Sequence, residues 1–146
     1  MAEVKNINFT TKIKSLERIS FSIDEPPKDL SIETDKITFE IGFVLEVVES
    51  QKLVMINNPI QIFSDSSKRI RLGSLHVKGE FLIENFEEIK QENGIPTGII
   101  ATYLGITISA ARGMLCLLSN GTFFENAIIP IVNPTALLQN NTPVKP

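Results

Sequence analysis

The sequence predicts an α+β fold in which a four-stranded antiparallel sheet packs on one long helix of the C-terminal half. Between Ile37 and Val47, apolar residues occupy every second position (Ile37, Phe39, Ile41, Phe43, Leu45, Val47) against Lys36, Thr38, Glu40 and Glu46. That alternation is the mark of a half-buried strand. Segments of similar period precede and follow it, joined mostly by short polar turns, which favours antiparallel neighbours. After Pro96-Thr97 the period changes, and Arg112 is the only charged residue from Gly98 to Leu118. A proline just inside the start and a long apolar run describe a helix.

From Asn8 to Ile23 the alternation is imperfect: Phe9 and Ile13 share a phase, Leu16 slips by one, and Ile19, Phe21 and Ile23 return to it. A strand with an irregularity near Ser15 accounts for the slip. Pro26 and Pro27 lack a ladder donor, so Asp24 to Asp35 reads as a long loop. After the Ile37–Val47 strand and a turn at Ser50-Gln-Lys52, Leu53 to Phe63 forms a third strand, expected to be interrupted at Asn57-Asn58-Pro59. Arg69 to Ile83 forms the fourth, with Gly73 and Gly79 as bulge or close-approach sites. Glu84 to Gly94 carries Glu84, Glu87, Glu88 and Glu92 and reads as a solvated connection.

A single small sheet cannot cover the whole circumference of so apolar a helix, so part of it is expected to meet another chain. Gly98, Ala101, Gly105, Ser109 and Gly113 recur every three or four residues, forming a stripe of small side chains on which a second backbone can pack closely. Close packing on the chain's own sheet explains the stripe equally well. The helix is long enough to span a membrane, but its three glycines, its hydroxyl residues and Arg112 argue against insertion. Ser119-Asn-Gly-Thr122 ends it. Beyond lie Phe123-Phe124, Ile128-Ile129, Ile131-Val132 and Leu137-Leu138, broken by Pro130, Asn133 and Pro134 into an apolar loop. The expected domain is 1–138, with 139–146 a disordered polar tail.

At 146 residues, with 42% hydrophobic and 21% charged residues, the chain has enough apolar surface for one core. A net charge of −3 without a basic cluster removes the attraction behind most nucleic-acid binding. Cys116 is the only cysteine; it forms no intrachain disulfide and is expected to be a packed thiol. The N-terminus lacks the apolar core of a secretory signal, which implies a cytoplasmic protein. No phosphate loop, zinc spacing or nucleophile elbow is present, and His76 reads as a solvated strand residue, so neither catalysis, metal nor cofactor is expected.

The C-terminal stretch resembles the SecB family of bacterial export chaperones on Ala111-Arg112, Gly121-Thr122-Phe123, Pro130-Ile-Val-Asn133 and Ala136-Leu137-Leu138, and the first strand does so on Ile19-Ser20-Phe21 followed by a proline-containing loop. The resemblance implies a four-stranded sheet on a long helix plus a short terminal helix, assembled as a homodimer or homotetramer. It also implies an ATP-independent holding chaperone for unfolded or precursor polypeptides, serving protein export. Its client grooves would bring Leu30 and Ile32 towards Phe123, Phe124, Ile129 and Ile131, and Ile19 and Phe21 of the first strand are further client-binding candidates. The family docks on the motor SecA partly through acidic residues, at positions where this chain has Arg18 and Ser22, so that contact is expected to be weakened or lost. A module dedicated to one partner, such as an antitoxin, is the second reading. A small-ligand protein or enzyme using the same apolar pocket is the third, and would require converging polar groups.

Overall fold

The computed structural model describes residues 10–25, 36–65 and 69–140. The chain runs β1 (Thr11–Ile23), β2 (Ile37–Ile41), β3 (Val44–Val48), β4 (Leu53–Ser64), β5 (Ile70–Ile83), α1 (Phe86–Ile89), α2 (Thr97–Leu118) and α3 (Pro134–Asn140). All strands pair antiparallel in one sheet of order β1-β5-β4-β2, with β3 also on β4. The fold class agrees with the sequence reading, and the five strands occupy four positions.

The reason lies at Pro59. β2 and β3 keep one register on β4: Ile41 lies opposite Ile60, and Val44 opposite Asn57. Only Gly42 and Phe43 drop out of the ladder. Gly42 donates its N–H to the Pro59 carbonyl at 2.9 Å, but Pro59 has no N–H to return. The Asn58 side chain supplies the missing donor, its Nδ2 reaching the Gly42 carbonyl at 2.9 Å. The expected interruption of β4 is thereby corrected: β4 is continuous for 12 residues, and the proline breaks the neighbouring strand instead.

The slip near Ser15 is present as a register shift between Ile13 and Ser15, and a second falls between Arg18 and Ser20. The second leaves Ile19 unpaired. Gly73 and Gly79 are close-approach sites: a Cβ on Gly73 would overlap the Ser22 carbonyl, and one on Gly79 would lie 2.7 Å from Thr107 Oγ1.

The core lies between one face of β4 and β5 and the inward face of α2. Ile56, Ile60, Ile62, Leu75, Val77 and Phe81 meet Tyr103, Leu104, Ile108, Ala111 and Leu115. Phe81 and Tyr103 stack with ring centroids 4.2 Å apart. Half of the most apolar window of α2 is buried inside this unit. The connection after β5 is less solvated than expected, because Phe86 and Ile89 of α1 point into the core. Gly121 ends the α2 turn region at φ 80°, where glycine is unstrained. Asn133 Oδ1 then accepts from the backbone N–H of Thr135 at 3.0 Å and starts α3, which runs through Gln139 to Asn140.

Candidate functional site

The helix α2 carries a single charge, and its large apolar side chains turn mostly to one side. Its outward face presents Gly98, Thr102, Ser109, Gly113, Cys116 and Leu117 as exposed residues. Cys116 is therefore not the packed thiol that the sequence suggested: it sits on the face turned away from the sheet. The small-residue stripe is divided. Gly98, Gly105, Ser109 and Gly113 lie on or beside the outward face, whereas Ala101 is buried, at 9% exposure.

The segment after α2 folds back along this face. Its apolar residues are sorted in and out. Phe124 and Ile129 are each 1% exposed and belong to the core; Phe123, Ile128 and Ile131 face out, Ile131 being 95% exposed. Phe123 and Phe124 meet edge to face at 4.9 Å. Arg112, the one charge on the helix, fixes the segment in place. Its Nε donates to the Ile129 carbonyl at 2.7 Å and its Nη2 to the Pro130 carbonyl at 2.8 Å. Gly105 then lets Pro134 close down on α2, since a Cβ there would be 3.2 Å from Pro134 Cγ.

Between helix and returning segment lies an open groove of about 440 Å³. Gly105, Ile106, Ile108 and Ser109 are among its helix residues, and Ile131, Val132 and Pro134 form the opposite wall. Of the residues proposed from sequence, Ile131 lines it directly, and Gly105 and Ser109, expected at an oligomer interface, line it too. Phe123 is exposed nearby in sequence without lining it. Phe124 and Ile129 are corrected to supporting roles beneath the surface, because the loop alternates its side chains. Ile19 is 48% exposed at the β1 bulge, and Phe21 packs half-buried against the core. Leu30 and Ile32 lie outside the described residues. Sequence reasoning missed Ile106, Val132 and the exposed Ile128; the helical spacing of Thr102, Ile106 and Ser109 was the available signal for the first.

The sheet's other face is polar and of mixed charge. His76 Nε2 lies 2.9 Å from Asn57 Oδ1, and Lys78 pairs with Glu80 at 3.3 Å. Arg18 is opposite Val77 and Ser22 opposite Ser74, and residues directly opposite share a face. Because the bulge at Ile19 intervenes, Arg18 and Ser22 point to opposite faces of the sheet. Among the described residues no group of three or more His, Cys, Asp or Glu side chains is placed to hold a metal.

No protein-family model matches this chain, and no curated protein matches it. Among solved structures it is similar to Mycobacterium tuberculosis Rv1957, a SecB-like chaperone in complex with a ChAD peptide from the Rv1956 HigA1 antitoxin, with TM-score 0.53 and 9% identity over 84% of this chain and 90% of that one. It also aligns with a Streptococcus agalactiae protein of unknown function, at TM-score 0.43 and 10% identity over 86% of this chain and 99% of that one. The first likeness is one of fold: an antiparallel sheet packed on a long helix, followed by a short one, in the SecB-like arrangement.

Proposed function

We propose that this chain is an ATP-independent holding module that binds extended, non-native polypeptide in the groove between α2 and the segment from Pro130 to Pro134. The observation that carries the reading is the groove's character: apolar, open along its length, and walled by Ile131 at 95% exposure. A small-molecule site encloses most of its ligand and converges polar groups on it. An open apolar trough instead accepts side chains of many shapes from a passing chain. A polypeptide binder of this kind needs no catalytic group, and the reading makes the chain a binder in the cytoplasm, not an enzyme.

Self-association into a dimer or tetramer belongs to the same reading, through a surface other than the groove and the outward track of α2 beside it, with several weak grooves giving avidity for one long client. Delivery to an export motor is left out, because Arg18 and Ser22 present neither negative charge nor a common face. The decisive measurement is suppression of aggregation of a reduced, slowly folding client by wild type and by Ile131→Ser with Val132→Ser. Both side chains line the groove and neither belongs to the core, so the fold should persist. Removing two large apolar contacts, each worth roughly 1.5–3 kcal/mol if fully buried by the client, should weaken capture at least tenfold. Undiminished capture by a folded double variant would reject the groove.

A second reading, a module dedicated to one partner such as an antitoxin, is favoured by one finding: the SecB-like neighbour was solved with an antitoxin peptide. It expects tight binding of one sequence and indifference to generic unfolded clients.

A further inference from the structure

Resting on the groove reading above, we propose that the groove selects extended segments carrying an internal aspartate or glutamate among apolar residues, with Arg112 as the subsite for that carboxylate.

Arg112 is the only charged residue lining a mostly apolar groove, whose other polar side chains are Thr102 and Ser109. Its orientation is fixed before any ligand arrives, since Nε and Nη2 are held by the Ile129 and Pro130 carbonyls at 2.7 and 2.8 Å. A guanidinium has five N–H groups in one plane, and these two bonds use two of them. Three remain for a ligand: the Nη1 pair and the second N–H of Nη2. Both carbonyl partners are neutral, and among the described residues no carboxylate pairs with Arg112 to compensate its charge. A preorganised cation in apolar surroundings that lower the local dielectric attracts a carboxylate more strongly than one on a flexible, hydrated side chain.

The geometry distinguishes the source of that carboxylate. The outward surface continues past Arg112 over Gly113, Cys116 and Leu117, all exposed, so a bound chain is not forced to terminate at the guanidinium. An internal side chain fits this better than a free C-terminus. The chain's own net charge of −3 repels strongly acidic segments, so the preferred ligand is one carboxylate set among apolar residues, not an acidic run.

The test uses labelled extended peptides of one apolar sequence with Asp, Asn or Arg at the centre, each with a free or an amidated C-terminus, titrated onto the full chain at low and high salt. The Asp peptide should bind about fivefold tighter than the Asn peptide and tighter still than the Arg peptide, whatever the C-terminus, and high salt should shrink the difference. Arg112→Gln should abolish the Asp/Asn difference. If that variant does not fold, the wild-type ranking and its salt dependence decide alone. Equal binding of Asp and Asn peptides overturns the carboxylate subsite while leaving the groove reading intact. A preference that follows the free C-terminus overturns the internal source. No binding of any peptide to a folded chain overturns both this inference and the groove reading beneath it.

Discussion

The inward face of α2 carries Ile100, Tyr103, Leu104, Thr107, Ala111 and Leu115, none more than 5% exposed, whereas its outward face carries Gly98, Thr102, Ser109, Gly113, Cys116 and Leu117, all exposed. Side-chain size separates them: the inward face fills space against β4 and β5, and the outward face, small apart from Leu117, leaves room for a second chain to lie close. One helix thus builds the core with one face and leaves small, exposed side chains on the other, and the two faces should respond oppositely to the same kind of substitution.

The largest difference should come from leucine truncation. Leu104 is fully buried, so Leu104→Ala should cost about 2–5 kcal/mol by lost burial and the cavity left behind. Leu117 is 81% exposed, and Leu117→Ala should change stability by no more than about 0.5 kcal/mol. Urea unfolding followed by circular dichroism measures both. A substantial cost at Leu117 that grows with protein concentration would redraw the comparison, placing that side chain in an interface between copies.

Glycine substitution gives a smaller contrast. A Cβ on Gly79 would lie 2.7 Å from Thr107 Oγ1 and 2.8 Å from the Phe81 ring. Neither neighbour yields easily, since Thr107 donates to the Tyr103 carbonyl at 2.9 Å and Phe81 is stacked on Tyr103. Gly79→Ala should therefore destabilise by about 1–3 kcal/mol. Nothing lies within 4 Å of a Cβ on Gly113, so Gly113→Ala should stabilise by up to about 1 kcal/mol through helix propensity. Loss of stability at Gly113 would show that its exposed backbone is already in contact with a partner.

Much of this architecture was legible where one physical signal dominated. The period-two run from Ile37 to Val47, the slip near Ser15 and the start of α2 after Pro96 each follow from alternation or proline geometry alone. The expectation for Pro59 failed because a proline's missing donor acts on whichever neighbour it faces, and only the pairing shows that this is Gly42, with Asn58 standing in. The site was legible in its segments and less so in its residues. Phe123 and Phe124, or Ile128 and Ile129, are chemically equivalent in sequence, and an irregular loop has no period to say which turns inward. Arg112 stood out in sequence only as the single charge of an apolar helix; its role as the clasp of the returning segment depends on carbonyls 17 and 18 residues further along the chain, which no local pattern encodes.

The smallest effect tests how α2 is tied to the most exposed strand. Tyr103 is buried from solvent, and its hydroxyl lies 2.6 Å from Thr11 Oγ1, linking the helix to β1. Burial raises the phenol above its ordinary value of 10.0, and the hydrogen bond to Thr11 opposes that rise without cancelling it. A raised folded-state value means that the neutral phenol's contribution is fully present below pH 10 and is lost as pH rises through the folded value, because the unfolded chain ionises first. Tyr103→Phe should cost about 1 kcal/mol at neutral pH, from the lost hydrogen bond, and should remove part of the stability loss above pH 10. Lysines titrate in the same range, so the quantity to measure is the difference between wild type and variant across that pH interval. The chain has one Tyr and no Trp, so the ultraviolet phenolate band reports this group alone. Parallel loss in both proteins, with the phenolate appearing at its ordinary value, would mean that the Thr11 end of the contact is open to water and that β1 is held to α2 by the packing of Leu16 and Phe21 instead.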